Sequence, residues 1–416
     1  MKAEIITIGD ELLIGQTIDT NSAWMGAEFS KMGISISRKT AVQDKAHEIK
    51  TALSEAFNRC DLLLLTGGLG PTKDDITKTT LCEFYNCAYR RDETVVKHLE
   101  NLFAARNRKL LESNLCQADL PELCETLHNA IGTAPGMWFD VNGKVLVSMP
   151  GVPSEMMNIM LHEVIPRLKN RFLFPEIIHK TAVTVGIPES LLSRQLEEFE
   201  ATLPAHIKLA YLPSLNMVKL RLSGQSDKTA GLQEEIAAYF GEMCRICRKH
   251  IMCEEDEVPA RYASRQLIQK NLSFTLAESC TGGYIANQMI QEPGVSRIFK
   301  GSIICYANEI KISELGVNPT IIEEFGAVSE PCAAAMAEGA RKKFGADIAL
   351  SATGIAGPGG GTDEKPVGMV FIGLATQHGT RVQKFRLFGS REQFMARACN
   401  AAMLMIKDFL QEEGLK

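Results

Sequence analysis

The sequence predicts an α/β protein: two three-layer α/β/α domains with parallel-rich sheets, joined by a small α+β module of βαββα order. Three observations lead there. Apolar runs suited to buried parallel strands, AEIITIG (3–9), DLLLLTGG (61–68) and KVLVSMPG (144–151), alternate with segments of helical period. The same rhythm resumes after residue 258, in LSFTLA (272–277), SIICYA (302–307), DIALSAT (347–353), VGMVFIGLAT (367–376) and TRVQKFRLF (380–388). Between the two lies a stretch of different character, 175–253, with three strands, two helices and no concentration of catalytic residue types. The expected boundaries are 1–170, 171–253 and 254–416, with the acidic EEDEVPA (254–260) as the last linker.

In order, residues 20–32 read as a helix, and ISISRKTAV (34–42) returns to period-two alternation. A helix near 45–58 leads into the second buried strand, and SEMMNIMLHEVIPRL follows the third as a helix. In the module, strand KTAVTVG (180–186) precedes a helix whose first turn holds Pro188, which needs no N–H there. Strands HIKLAYLPS and NMVKLRLSG follow, then a helix over about 228–248. A spacer or dimerisation role suits the module. Helices at 258–270, 282–291, 329–344 and 391–411 separate the strands of the last domain.

With 416 residues, 45% hydrophobic and 23% charged, the chain has length for about three domains, each able to bury a core. The formal net charge of −5 and dispersed Lys and Arg argue against nucleic acid, whose phosphates need clustered cations. No run of about 18 apolar residues predicts a membrane span. Asp10 and Glu11 break MKAEIITIGDELLIG too early for an export signal, so a cytoplasmic protein is expected. The twelve cysteines then read as small packing residues rather than a disulfide framework. Cys244, Cys247, His250 and Cys253 recur every three residues, but on one helix the end ligands lie about 13 Å apart. They converge on one zinc only if the helix ends near Arg248 and a strand follows.

In the last domain, Ser279 follows a buried strand in AESCTGGYIANQMI (277–290), and a glycine pair opens a helix. Such a turn exposes a hydroxyl at the edge of the sheet, with the amides of Thr281, Gly282 and Gly283 placed to stabilise an oxyanion. A Ser/Thr helix cap is the plainer alternative. ICYANEIK (304–311) supplies Tyr306, Asn308 and Lys311. A buried Lys can take a proton near neutrality, and a Tyr hydroxyl can relay it; a surface lysine is the bland reading. SATGIAGPGGGTDEKPVG (351–368) leaves backbone amides free to wrap an anion, though it is no Walker loop.

AESCTGG, Y-x-N-x-x-K (306–311), GAVSEP (326–331), TGIAGPGGGT and EKPVG together resemble the CinA C-terminal family, over residues 258–412. The resemblance implies a nicotinamide mononucleotide deamidase that needs no cofactor. It assigns Ser279, Tyr306 and Lys311 to catalysis, with Thr281, Gly282, Gly283, Asn308, Thr353, Gly354, Ala356 and Gly357 around the substrate. Arg391, in FGSREQFMARA, matches a family arginine suited to the nucleotide phosphate, with Arg397 as a second candidate. Met395 stands where relatives often carry another arginine.

Three acid- and glycine-rich segments end the strands of the first domain: GDELLIGQTIDTN (9–21), TGGLGPTKDD (66–75) and MPGVPSE (149–155). Turns at strand C-termini line the crevice of an open parallel sheet. Asp10, Glu11, Asp74, Asp75 and Glu155 would gather there as hard ligands for a Mg²⁺-type ion. Gly9, Asn21, Gly67, Gly68 and Gly70 would form the nucleotide site; Asp74 and Asp75 could also cap a helix starting at Ile76. These segments, with NAIGTAPG (129–136), resemble the molybdopterin-binding-like domain of full-length CinA proteins. That resemblance implies a metal-dependent ADP-ribose pyrophosphatase, and a homodimer is expected. The alternative is a non-catalytic pterin or nucleotide sensor.

Overall fold

The first strand, Lys2–Ile8, is buried from Ala3 onward. Glu4 is the one acid in it, and Arg59 resolves the cost by donating from Nε and Nη2 at 2.8 Å each. Those bonds hold the Glu4 carboxyl below its usual range. The computed structural model describes residues 2–72, 74–172, 174, 176–215, 217–226 and 231–412. They form two compact units, one running to Ile178 and taking in Gln225 and Ser226, the other holding His179–Gly224 and the chain from Gly231.

The first unit is built on a six-stranded sheet in the order Ser35–Val42, Lys2–Ile8, Leu62–Thr66, Lys144–Met149, Gly136–Val141, Cys124–Leu127. The first four are mutually parallel and the last two pairings antiparallel. Alternate residues serve opposite faces, which makes three layers. Ile6, Ile8, Leu63 and Leu65 pack with Ile49 and Leu53 of helix Ala46–Phe57. Ala3, Ile5, Leu62 and Leu64 pack with Met25 and Phe29 of helix Thr20–Lys31 and Met156 of helix Pro153–Ile159. The antiparallel hairpin was not expected. It turns at Asn142 and Gly143, with φ of 53° and 79°, the two positive values a tight two-residue hairpin requires.

The second unit holds two sheets. Four strands run in the order Ile207–Ser214, Met217–Ser226, Glu176–Val185, Ile251–Cys253. Helices Glu189–Thr202 and Leu232–Ile246 belong to this layer pair. Five strands run in the order Phe299–Ile304, Phe274–Glu278, Ile348–Gly354, Met369–Thr376, Gly379–Arg386, parallel across the first three and antiparallel thereafter. The module packs within this unit: Val185 and Met252 share a core with Leu276, Phe394 and Ile406. Asn400 Nδ2 also donates to Leu215 O at 3.1 Å.

The strand expected at 302–307 runs instead over Phe299–Ile304. Phe299 stacks on Phe274 with ring centroids 4.9 Å apart, and a register shift at Phe274/Thr275 takes up the slack. Cys305 and Tyr306 are thereby left past the strand, at the sheet edge where the Ser279 turn also lies. Cys244, Cys247 and Cys253 are buried thiols on helix Leu232–Ile246, just after it, and on strand Ile251–Cys253. Burial pushes them up to about 12, 11 and 11. Among the described residues no helix is long and apolar enough to cross a membrane.

Candidate active site

Ser279 leaves the buried strand Phe274–Glu278 and is itself 9% exposed, its amide donating to Ala352 O at 2.9 Å. It is not a helix cap. The following helix, Tyr284–Met289, has Gly283 at its N-cap (φ 96°), and the capping group is the Glu278 carboxylate. Glu278, 1% exposed, accepts from the amides of Gly283 (3.0 Å), Ile285 (3.1 Å) and Ala286 (2.8 Å). A buried carboxylate would be costly alone, but three charge-assisted hydrogen bonds of about 1.5–3 kcal/mol each satisfy it. This corrects the expected oxyanion donors. Gly283 is spent on Glu278, and the Gly282 amide donates to Ser279 O at 3.2 Å. Cys280 and Thr281 keep amides with no acceptor among the described residues. The Thr281 hydroxyl is buried without a partner. The neighbouring Cys280 thiol is pushed up to about 12 by burial, so it stays protonated beside Ser279.

The parallel neighbour strand brings the next groups alongside. Ile304 pairs with Glu278, and the Cys305 amide donates to Glu278 O at 2.8 Å. Lys311, on helix Asn308–Leu315, is 1% exposed, and Nζ donates to Cys305 O at 2.8 Å and Tyr306 O at 3.2 Å. No carboxylate forms an ion pair with it among the described residues. Tyr306 is 59% exposed, and Asn308 is exposed at the first position of that helix.

The glycine loop and the C-terminal helix close the arrangement. Arg391, at the start of helix Arg391–Glu412, donates from Nη2 to the Tyr306 hydroxyl at 2.5 Å and from Nη1 to Gly357 O at 3.1 Å. One guanidinium thus joins Tyr306 to the loop, with further N–H groups in reserve. Gly354 allows the backbone approach there, since a Cβ would lie 2.6 Å from Met369 O. Ala356 is buried in the loop base. Two expected contacts are corrected. The Thr353 hydroxyl is spent on Ala327 O at 2.8 Å. Arg397 turns to Phe388 O and braces the approach to the helix instead of reaching the loop.

In the first unit, Glu11, Asn21 and Gly67 line a small cleft of about 100 Å³. Asn21 is fixed by bonds to Thr66 Oγ1 (3.2 Å) and Gly151 O (2.8 Å), while its Oδ1 stays buried and unpartnered. Gly67, at φ 109°, cannot be replaced freely, because a Cβ would fall 2.2 Å from Ile8 O. The amide of Gly9 donates to Val42 O at 3.2 Å. Gly68 faces Thr77, and Gly70 faces Asp75. The five expected metal ligands are not one set: among the described residues no three His, Cys, Asp or Glu side chains stand together as ligands for an ion. Two of the acids have gone to local partners. Glu155 accepts from Asn129 Nδ2 at 2.7 Å. Asp75 accepts from the Thr72 amide at 2.9 Å and from its hydroxyl. Neither Asp74 nor Asp75 caps helix Thr77–Tyr85, whose N-cap is Ile76. Asp10 and Glu11 instead lie near Asp44, an acid that sequence reasoning missed; the Asp10 amide donates to Asp44 Oδ2 at 3.0 Å. Burial raises the Asp44 carboxyl above its usual range, and the charges of Asp10, Glu11 and Asp75 push it the same way.

Residues 256–410 match the family model of the CinA C-terminal domain, and residues 4–170 that of a probable molybdopterin binding domain. A CinA-like protein of Cytophaga hutchinsonii is 44% identical over 411 residues, covering 99% of this chain and 98% of the relative. One from Flavobacterium psychrophilum is 43% identical over 408 residues, covering 98% of each. Among solved structures, the protein CinA from Thermoplasma acidophilum shares 32% identity over 41% of this chain and 98% of its own, with a TM-score of 0.36.

Proposed function

We propose that this chain, which belongs to the CinA family and carries a molybdopterin-binding-like domain ahead of its CinA C-terminal domain, hydrolyses nicotinamide mononucleotide to nicotinate mononucleotide and ammonia. One observation carries the reading: Lys311 is buried to 1% exposure against two carbonyls beside the Ser279 turn, without a carboxylate. A buried, unpaired lysine is poor structural material, because its charged form loses hydration for little return. Its Nζ spends two donations on Cys305 O and Tyr306 O.

Acting as the general base, Lys311 takes the proton of Ser279 as the serine oxygen attacks the carboxamide carbon. The Cys280 and Thr281 amides receive the oxyanion. The C–N bond then breaks, with the proton passing to the leaving nitrogen from Lys311 or through the Tyr306 hydroxyl. Water attacks the acyl ester, Lys311 accepts its proton, and the serine regains its own. Arg391, anchored by Tyr306 and Gly357, takes the substrate phosphate with its remaining donors. Incubating the full chain with nicotinamide mononucleotide and no added cofactor should release ammonia and nicotinate mononucleotide in equal amounts. Release of free nicotinamide, or no turnover, would remove the amidase reading.

A second reading concerns the first unit, and the crowding of Asp10, Glu11 and Asp75 around Asp44 favours it. A diphosphate approaches so negative a group of acids only with a cation to compensate, which suits metal-dependent hydrolysis of ADP-ribose. The acids are not arranged as a closed ligand set, so no step is derived through a metal. Asp75→Asn tests it well. The amide oxygen can still accept from Thr72, while the charge is gone. ADP-ribose cleavage with Mg²⁺ or Mn²⁺ should fall about a hundredfold, deamidation should stay unchanged, and melting should move little. Full cleavage in this variant would leave Asp75 as a turn residue only. Binding of ADP-ribose without cleavage by the unmodified chain would favour a non-catalytic sensor.

A further inference from the structure

A cavity of about 600 Å³ lies in the second unit, lined by none of the residues of the Ser279 site. Helix Leu232–Ile246 and strand Ile251–Cys253 supply one wall, and helices Pro259–Gln269 and Arg391–Glu412 the other. Met252, Ile406 and Leu410 make part of it apolar, and Tyr262 contributes an aromatic ring.

Its charge is unbalanced. Arg245, Arg248 and Lys407 line it against Glu254 and Glu255. Glu255 is already held by Arg265 at 2.8 Å and Arg245 stands 3.7 Å from Glu242, which leaves Arg248 and Lys407 to face Glu254. Lys407 is only 8% exposed, and its nearest acid, Asp408, is 3.6 Å away, longer than a direct hydrogen bond. Burial lowers the Lys407 ammonium from its usual range, the Asp408 carboxylate works against that, and the Arg248 charge adds to the lowering. His250 is lowered too, by burial and then by Lys249 and Lys407. Lys407 and Arg248 act on each other as like charges with only Asp408 against them, and an anion in the cavity would relieve that repulsion. The space exceeds what a bare phosphate fills and suits a ligand with an organic ring.

We propose that this cavity binds a phosphate-bearing metabolite of mononucleotide size, with its phosphate on Lys407, Arg248 and Arg245 and its ring against Tyr262. The site is separate from both nucleotide clefts described above.

The probe is AMP, titrated into the full chain and followed by amide hydrogen exchange so that its location is read along with its affinity. AMP should protect residues 244–254 and 403–411. Adenosine and inorganic phosphate at equal concentration should do so about tenfold more weakly or less. Arg248 is exposed, so Arg248→Glu should leave melting unchanged while weakening AMP protection of those segments about tenfold or more. Arg245→Glu serves as the second variant. Absence of protection at millimolar AMP, or protection undiminished in both variants, would overturn the proposal. Equal protection by adenosine would overturn the phosphate assignment.

Discussion

Ser279→Ala is expected to cut ammonia release from nicotinamide mononucleotide by roughly a thousandfold or more, about 4 kcal/mol of transition-state stabilisation. Stability should hardly move. The serine hydroxyl caps nothing, because Glu278 satisfies the amides at the start of helix Tyr284–Met289. Its loss therefore leaves no buried partner stranded, and the melting temperature should hold within about 2 °C. Cys280 cannot substitute as a nucleophile, since its burial keeps it a thiol. The informative measurement is single-turnover kinetics in the folded variant, with calorimetry alongside. An alanine variant that still released ammonia within a factor of about ten of the parent rate would remove the nucleophile assignment.

The sheets were legible because burial on both faces imposes continuous apolar runs, as in LLLL at 62–65, and glycines mark where they end. The hairpin at 136–149 was equally written, in the Asn142-Gly143 dipeptide, but its strands are too short to show strongly by period alone. Ser279 and Lys311 stood out in the sequence as candidates, and the resemblance to the CinA C-terminal family singled them out from a helix cap and a surface lysine. Glu278 was not, because its role depends on the chain folding back so that three amides meet its carboxylate. An acid ending an otherwise apolar strand just before a glycine turn was the available signal. Asp44 was hidden for another reason. It precedes helix Ala46–Phe57 like any N-terminal acid, and only the parallel pairing of Val42 with Ile8 brings it beside Asp10. The expected five-carboxylate cluster came apart on similar ground: sequence places acids at a sheet edge but does not say that Asp75 will meet Thr72 and Glu155 will meet Asn129.

Lys311→Met is expected to lower kcat by about 10²–10⁴-fold, the range of a lost general base, with KM much less affected. Methionine keeps the length and apolar bulk of the stem but removes the donor to Cys305 O and Tyr306 O. Two carbonyls lose a partner, at about 1–3 kcal/mol each, partly offset by no longer burying an amine. Some loss of melting temperature is therefore expected whatever the chemistry, and stability alone cannot identify the role. Two readouts can. In Lys311→Ala, a small primary amine added to the buffer should enter the vacated space and restore part of the rate, with dependence on the concentration of its neutral form. Arg391→Ala should behave differently, raising KM far more than it lowers kcat, because it removes a phosphate contact and leaves proton transfer in place. A folded Lys311→Met protein with kcat within about threefold of the parent would make Lys311 a clamp on the Cys305–Tyr306 backbone, and another group would have to take the serine proton.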